Sequence, residues 1–263
     1  MQKAHYQDLD VTILDNNAEL GVAAAAEFAA AVQAELAEAS EIAVILATGN
    51  SQFSFTEALP DRSDIDWSRI TVLHMDEYLG MDASHPASFR RWMQERIVKP
   101  LGPARFEGIR GDAPSVEEEL QRYTALLREL KPVICVMGIG ENGHLAFNDP
   151  PADFNPPELI RVVEMDEVSR RQQVGEGHFP SLAETPTHAI SLTIPALLAP
   201  RHVLVLTPEP RKAEAVRRAL EGEIGPLSPA SILRTQPQAK LFLDQGSAGL
   251  LDQVAASEKV SAQ

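Results

Sequence analysis

Ile42-Ala43-Val44-Ile45-Leu46 is an apolar run of strand length, and it gives way through Ala47 to Thr48-Gly49-Asn50-Ser51, a turn rich in small and polar residues. A run that is apolar at every position, not at alternate ones, suits a strand covered on both faces, as in a parallel sheet. The turn then stands at the carboxyl end of that strand. Short, mostly apolar runs that read as buried strands recur at 70–73, 133–137, 189–193, 203–206 and 241–242. Between these runs lie stretches with helical composition at 87–98, 116–130 and 211–220, preceded by a long Ala-, Glu- and Leu-rich helix at 18–39.

Strands alternating with helices along the whole chain predict an α/β fold with an open, mostly parallel sheet flanked by helices, Rossmann-like in class. No low-complexity linker and no fixed-period repeat interrupts the pattern, so residues 1–263 read as one domain. A proline-rich segment from Asp149 to Pro157 and the later Gly175-Glu176-Gly177 mark region 149–186 as loops or a lid over a site. The polar tail after Ala255 is expected to fray.

Lys and Arg number 23 against 38 Asp and Glu, a formal charge of -15 that repels nucleic-acid phosphates and anionic membranes alike. A phosphorylated ligand would therefore need a local pocket of positive potential. Cys135 is the only cysteine, which rules out an intrachain disulfide and the usual zinc thiolate sets, and fits a reducing cytoplasm. The segment from Met1 to Asp15 lacks the form of a secretory signal, and no apolar run is read as reaching membrane-spanning length. The expectation is a soluble cytoplasmic protein whose core, with aromatics at only 5%, is filled by aliphatic residues and alanine.

Ligands of open parallel sheets bind beyond the carboxyl ends of the strands, and three loops there carry chemistry. Thr48-Gly49-Asn50-Ser51 can bring backbone, amide and hydroxyl groups close to a phosphate, or be an ordinary turn. His74-Met75-Asp76-Glu77-Tyr78 sets two carboxylates after a buried strand, where one can serve as a base, or where both can simply open a helix. Gly138-Ile139-Gly140-Glu141-Asn142-Gly143-His144 allows close backbone approach and presents a histidine five residues before Asp149. Its spacing is not that of a dinucleotide-binding fingerprint, and the seven histidines show no paired metal-ligand spacing.

Together, Met75-Asp76-Glu77-Tyr78 with His85-Pro86, and Gly143-His144-Leu145-Ala146-Phe147-Asn148-Asp149-Pro150, resemble the glucosamine-6-phosphate deaminase (isomerase) family. The wider superfamily also holds 6-phosphogluconolactonases. The resemblance implies that Asp76 moves a proton between sugar carbons 2 and 1, and that His144 assists ring opening. It implies a phosphate site made by Thr48, Gly49, Asn50, Ser51 and Lys212, with Arg170 or Arg171 as its arginine, and Glu77 and Gly143 beside the substrate. Asn142 and Asp149 stand where the family more often has Asp and Glu, so one partner of the histidine is neutral and the other shorter. The implied reaction converts glucosamine 6-phosphate and water to fructose 6-phosphate and ammonia without metal or organic cofactor, in a possible homo-oligomer. A sugar-phosphate lactonase using His144 on water, and a sensor that keeps the phosphate loop without catalysis, are the alternatives.

Overall fold

The computed structural model describes residues 1–252, so the fraying expected after Ala255 lies outside the described residues. Its strands are β1 (Gln2–Tyr6), β2 (Leu9–Leu14), β3 (Ile42–Leu46), β4 (Ile70–His74), β5 (Asp76–Tyr78) and β6 (Arg105–Glu107). They continue with β7 (Ile134–Met137), β8 (Ile160–Glu164), β9 (His188–Leu192), β10 (His202–Thr207) and β11 (Ala239–Asp244). The helices are α1 (Asn17–Glu38), α2 (Phe53–Ala58), α3 (Phe89–Met93), α4 (Lys99–Leu101) and α5 (Val116–Leu130). After these come α6 (Glu167–Gly175), α7 (Ile194–Leu198), α8 (Ala213–Glu221) and α9 (Gln245–Ala248).

Eight strands form one sheet in the order β1-β2-β11-β10-β7-β3-β4-β6. Every neighbouring pair is parallel except the β1–β2 hairpin at one edge. The strand period of two divides each all-apolar run between two cores. On β3, Ala43 and Ile45 enter one core while Ile42, Val44 and Leu46 enter the other; on β7, Cys135 and Met137 oppose Ile134 and Val136 in the same way. Burying both faces of these central strands excludes water from their ladder, and each fully buried aliphatic side chain contributes about 1.5–3 kcal/mol.

The run at 189–193 is a strand, β9, but it belongs to a separate three-stranded antiparallel sheet ordered β5-β9-β8. Ala189 to Leu192 of β9 are buried there as in a central strand, so the run looks the same as one in the parallel sheet. α1 corrects a second expectation, because by length and composition it is apolar enough to cross a membrane. Here it packs on the sheet, with Leu20, Ala24, Phe28 and Val32, spaced four apart, all buried in the core beneath it.

Candidate functional site

Strands β10, β7, β3 and β4 lie side by side, and the loops leaving their carboxyl ends enclose one pocket. From β3 the chain proceeds to β4 on one side, and from β7 to β10 on the other. The loops therefore diverge between β3 and β7, which opens a crevice at that switch in strand order. Thr48, Gly49, Asn50 and Ser51 line it after β3, Asp76 after β4, Gly138, Gly140 and His144 after β7, and Lys212 after β10. Helix α6 contributes Gln172 and Gln173, and Glu176 follows at its carboxyl-terminal cap.

The chain turns at Met75 out of β4 and enters the small sheet as β5, where Asp76 pairs with Ser191 and Glu77 with Ile190. Alternation along a strand sends successive side chains to opposite faces, so the two adjacent carboxylates part company. Asp76 faces the pocket and has no hydrogen-bond or ion-pair partner among the described residues. Burial, and secondarily the neighbouring Glu77, push its pKa up to about 8. Glu77 is fully buried in a cage at the start of α3. It accepts hydrogen bonds from the Ser88 hydroxyl at 2.8 Å and from the Phe89 and Arg90 amides at 3.1 and 2.9 Å. Glu77 therefore braces the wall behind Asp76 and does not line the pocket, contrary to its expected place beside the substrate.

His144 is positioned by the glycine loop. A β-carbon added to Gly140 would stand 2.2 Å from the imidazole ring, so only glycine lets the ring lie against this backbone. The Asp149 carboxylate meets Nδ1 of the ring at 3.0 Å, with the Ser169 hydroxyl at 3.4 Å from the same nitrogen. A proton on Nδ1 directed at Asp149 leaves Nε2 as the nitrogen for ligand chemistry. The shorter carboxylate reaches the ring through Oδ1, which also accepts from the Asn142 amide at 2.9 Å, and its Oδ2 accepts from the Asp166 backbone amide at 2.9 Å. Burial opposes charge on Asp149, but the bonds from His144, Asn142 and Asp166 win and keep its pKa below the usual carboxylate value. Asn142 touches the His144 main chain at 3.1 Å and not its ring, so it acts on the imidazole only through Asp149.

The opposite end of the pocket is cationic. Gly49 has φ +91°, a conformation L side chains rarely adopt, and it turns the chain from β3 into the Thr48–Ser51 loop. The Lys212 side chain is buried and has no hydrogen-bond or ion-pair partner among the described residues. Burial lowers its pKa to about 8, and the nearby Glu176 carboxylate only partly offsets that effect. A buried, unpaired ammonium beside a glycine-led loop is built to receive an anion.

These elements in this order occur in a known family: residues 15–242 match the one described as glucosamine-6-phosphate isomerases/6-phosphogluconolactonase. The chain belongs to that family. Among similar proteins, the glucosamine-6-phosphate deaminase of Bacillus cereus (strain B4264) is 32% identical over 213 residues, covering 81% of this chain and 79% of that protein. The glucosamine-6-phosphate deaminase of Bacillus thuringiensis (strain Al Hakam) is 31% identical over the same shares. A solved monomeric glucosamine-6-phosphate deaminase superposes with a TM-score of 0.83 at 29% identity, covering 91% of this chain and 99% of that one. The 6-phosphogluconolactonase of Thermotoga maritima shares the fold, with a TM-score of 0.73 at 19% identity over 90% of this chain and 99% of that one.

Within this family fold, two sequence expectations need correction. Neither Arg170 nor Arg171 reaches the pocket. Arg170 donates to the carbonyls of Leu182 and Thr185 at 2.6 and 3.0 Å, tying α6 to the segment after it, and Arg171 pairs with Glu167 one turn away at the surface. Gly143, with φ +92°, shapes the turn before His144 and its carbonyl accepts from Ala230, but it does not line the pocket either. Sequence reasoning missed Gln172, Gln173 and Glu176. Helical spacing already pairs Gln172 with Glu176 and Arg171 with Glu167, but which pair faces inward depends on how α6 docks.

Proposed function

We propose that this chain is a glucosamine-6-phosphate deaminase, converting an amino-sugar 6-phosphate and water to a ketose 6-phosphate and ammonia. One observation carries the reading: a buried carboxylate without a protein partner, Asp76, shares a pocket with a histidine whose Nδ1 is held by Asp149. Lactone hydrolysis needs no base for a carbon-bound proton, whereas the aldose–ketose shift requires one.

His144 Nε2 relays the proton that opens the pyranose ring, with Asp149 holding the imidazole in the required tautomer. Asp76 then takes the proton from carbon 2 and returns it to carbon 1, so the amino carbon becomes an imine that water cleaves to ketone and ammonia. An acid with a pKa near 8 is mostly protonated in the empty pocket at neutral pH. The substrate corrects this, because an amine that carries a proton next to Asp76 favours the ionised carboxylate. Lys212 and the Thr48–Ser51 loop anchor the phosphate at the far end, which fixes carbons 1 and 2 over the base. Region 149–186, through α6, acts as a lid that keeps water from the intermediate.

Every side chain named here comes from one chain. A cytoplasmic location remains part of this reading, and a homo-oligomer would bear on stability or control, not on the chemistry.

The test is direct. Pure protein is incubated separately with glucosamine 6-phosphate and with 6-phosphogluconolactone, following ammonia, ketose phosphate and acid release. Ammonia and ketose phosphate in equal amounts from the first substrate are expected. Acid release from the lactone without ammonia from the amino sugar would make the chain a lactonase, and silence with both, despite phosphate binding, would make it a sensor.

A further inference from the structure

The cationic end of the pocket holds a carboxylate that an anion-binding site should not contain. Glu176 lines the same pocket as Lys212, its side chain is only 6% exposed, and its Oε2 would lie 3.7 Å from a β-carbon built on Gly49. It therefore stands over the loop that receives the phosphate. Its Oε1 meets Arg211 Nη1 at 2.9 Å and accepts from the Gln172 amide at 2.9 Å. Arg211 immediately precedes the buried Lys212; it stands behind Glu176 without lining the pocket itself, and it is also bound to Glu141 at 3.0 Å and to Glu209 at 2.5 Å. Burial disfavours charge on Glu176, but His178, Lys212 and Arg211 outweigh it and hold its pKa at about 2, so the carboxylate is ionised.

An ionised carboxylate and a phosphate dianion cannot share this corner without strong like-charge repulsion, in a setting where burial limits screening. Yet the Lys212 ammonium has no partner among the described residues, so Glu176 does not serve as its direct partner. The carboxylate's own attachments are to Gln172 and Arg211 through Oε1 and to His178 Nε2 at 3.5 Å through Oε2, and it is flanked by Gly175 and Gly177. A β-carbon on either glycine would meet nothing within 4 Å, so the backbone on both sides of Glu176 is loosely surrounded. Gly177 already sits at φ +81°, a conformation open to glycine.

We propose that Glu176 is a displaceable counter-ion: it holds Arg211 in the empty pocket, and the substrate's phosphate expels it and takes over the Arg211 guanidinium beside Lys212. This rests on the phosphate-binding reading above, and it supplies the arginine that Arg170 and Arg171 do not. Exchange of one anion for another on Arg211 makes closure of α6 conditional on a phosphate, because only a ligand carrying that charge competes with the resident carboxylate. Unphosphorylated amino sugars leave Glu176 in place.

The test measures binding of inorganic phosphate to the full-length protein by calorimetry, for the wild type, Glu176→Gln, Glu176→Ala, Arg211→Ala and Lys212→Ala. Removing the resident charge should tighten phosphate about 10-fold in both Glu176 variants, and Arg211→Ala should weaken it by a similar factor. KM for glucosamine 6-phosphate should fall in Glu176→Gln, while KM for unphosphorylated glucosamine should not. If Lys212→Ala weakens phosphate but both Glu176 variants bind it no tighter than the wild type, the counter-ion role is wrong and the phosphate site stands. If none of the proteins, the wild type included, binds phosphate or glucosamine 6-phosphate, the phosphate reading and this proposal fall together.

Discussion

Asp76 stands at the pocket wall as a buried carboxylate with no side-chain partner among the described residues, an arrangement that costs stability. Asp76→Asn keeps its shape but removes the base, so turnover should fall by at least about 1000-fold with ligand binding largely intact. Loss of binding together with turnover would instead make Asp76 a structural residue. Lys212→Ala deletes a charge-assisted contact worth about 1.5–3 kcal/mol, so phosphorylated ligands should weaken by roughly 10- to 100-fold and unphosphorylated glucosamine hardly at all. Equal losses for both would place Lys212 against the sugar or the core. Asn142→Asp would set a second carboxylate 2.9 Å from Asp149, and two acids so close share a proton. The orienting acceptor for His144 would then be lost at a higher pH, moving the acid limb of the kcat/KM profile upward on a cyclic substrate. An unmoved limb would confine Asn142 to holding the His144 main chain.

Among the elements, α6 joins the active-site wall to the rest of the fold. Asp166 caps its first turn, accepting from the Val168 amide, and the buried Tyr78 hydroxyl donates to Gln173 Oε1 at 2.6 Å. Arg170 fastens its outer side to the carbonyls of Leu182 and Thr185. Arg170→Ala should therefore lower the melting temperature by a few degrees and raise KM alike for phosphorylated and unphosphorylated amino sugars. Arg171→Ala, removing an exposed pair one helical turn long, should leave both within error. A loss specific to phosphate in either variant would return that arginine to the phosphate site. Helix α5 shows what local sequence can deliver unaided: 116–130 was expected and Val116–Leu130 is observed, with Ser115 as its cap and three glutamates in its first turn. Helix α6 was not readable in this way, because its polar residues fall on more than one face and only docking decides which face is buried.

For the whole molecule, the empty site is a source of pH-dependent instability. Asp76 has a folded pKa of about 8 against an ordinary 3.8, so the folded state binds the extra proton and stability from this group falls as pH rises from 4 to 8. Lys212 has a folded pKa of about 8 against 10.5, so its unfolded form binds the extra proton and stability from this group rises from pH 8 to 10.5. Both contributions are least favourable near pH 8. Asp76→Asn should thus raise the melting temperature by several degrees at pH 8 and leave it nearly unchanged at pH 4, read by calorimetry across that range. A stabilisation that persists undiminished at pH 4 would have to come from packing, not from charge burial.

The sequence alone determined the α/β class, the strands β3, β4, β7, β10 and β11, and the three strand-end loops that carry Gly49, Asp76 and His144. These are local facts: an all-apolar run must be buried on both faces, and glycine-rich turns after such strands stand at their carboxyl ends. Only the tertiary structure decided that β9 leaves the parallel sheet for a small antiparallel one, since burial on both faces looks alike in either. It also decided that Glu77 turns away while Asp76 faces the pocket, and that Arg170 fastens α6 and Arg171 stays at the surface while Glu176 and Lys212 face inward. The side a residue presents depends on the partner that its strand or helix packs against, and that partner lies tens of residues away in the chain.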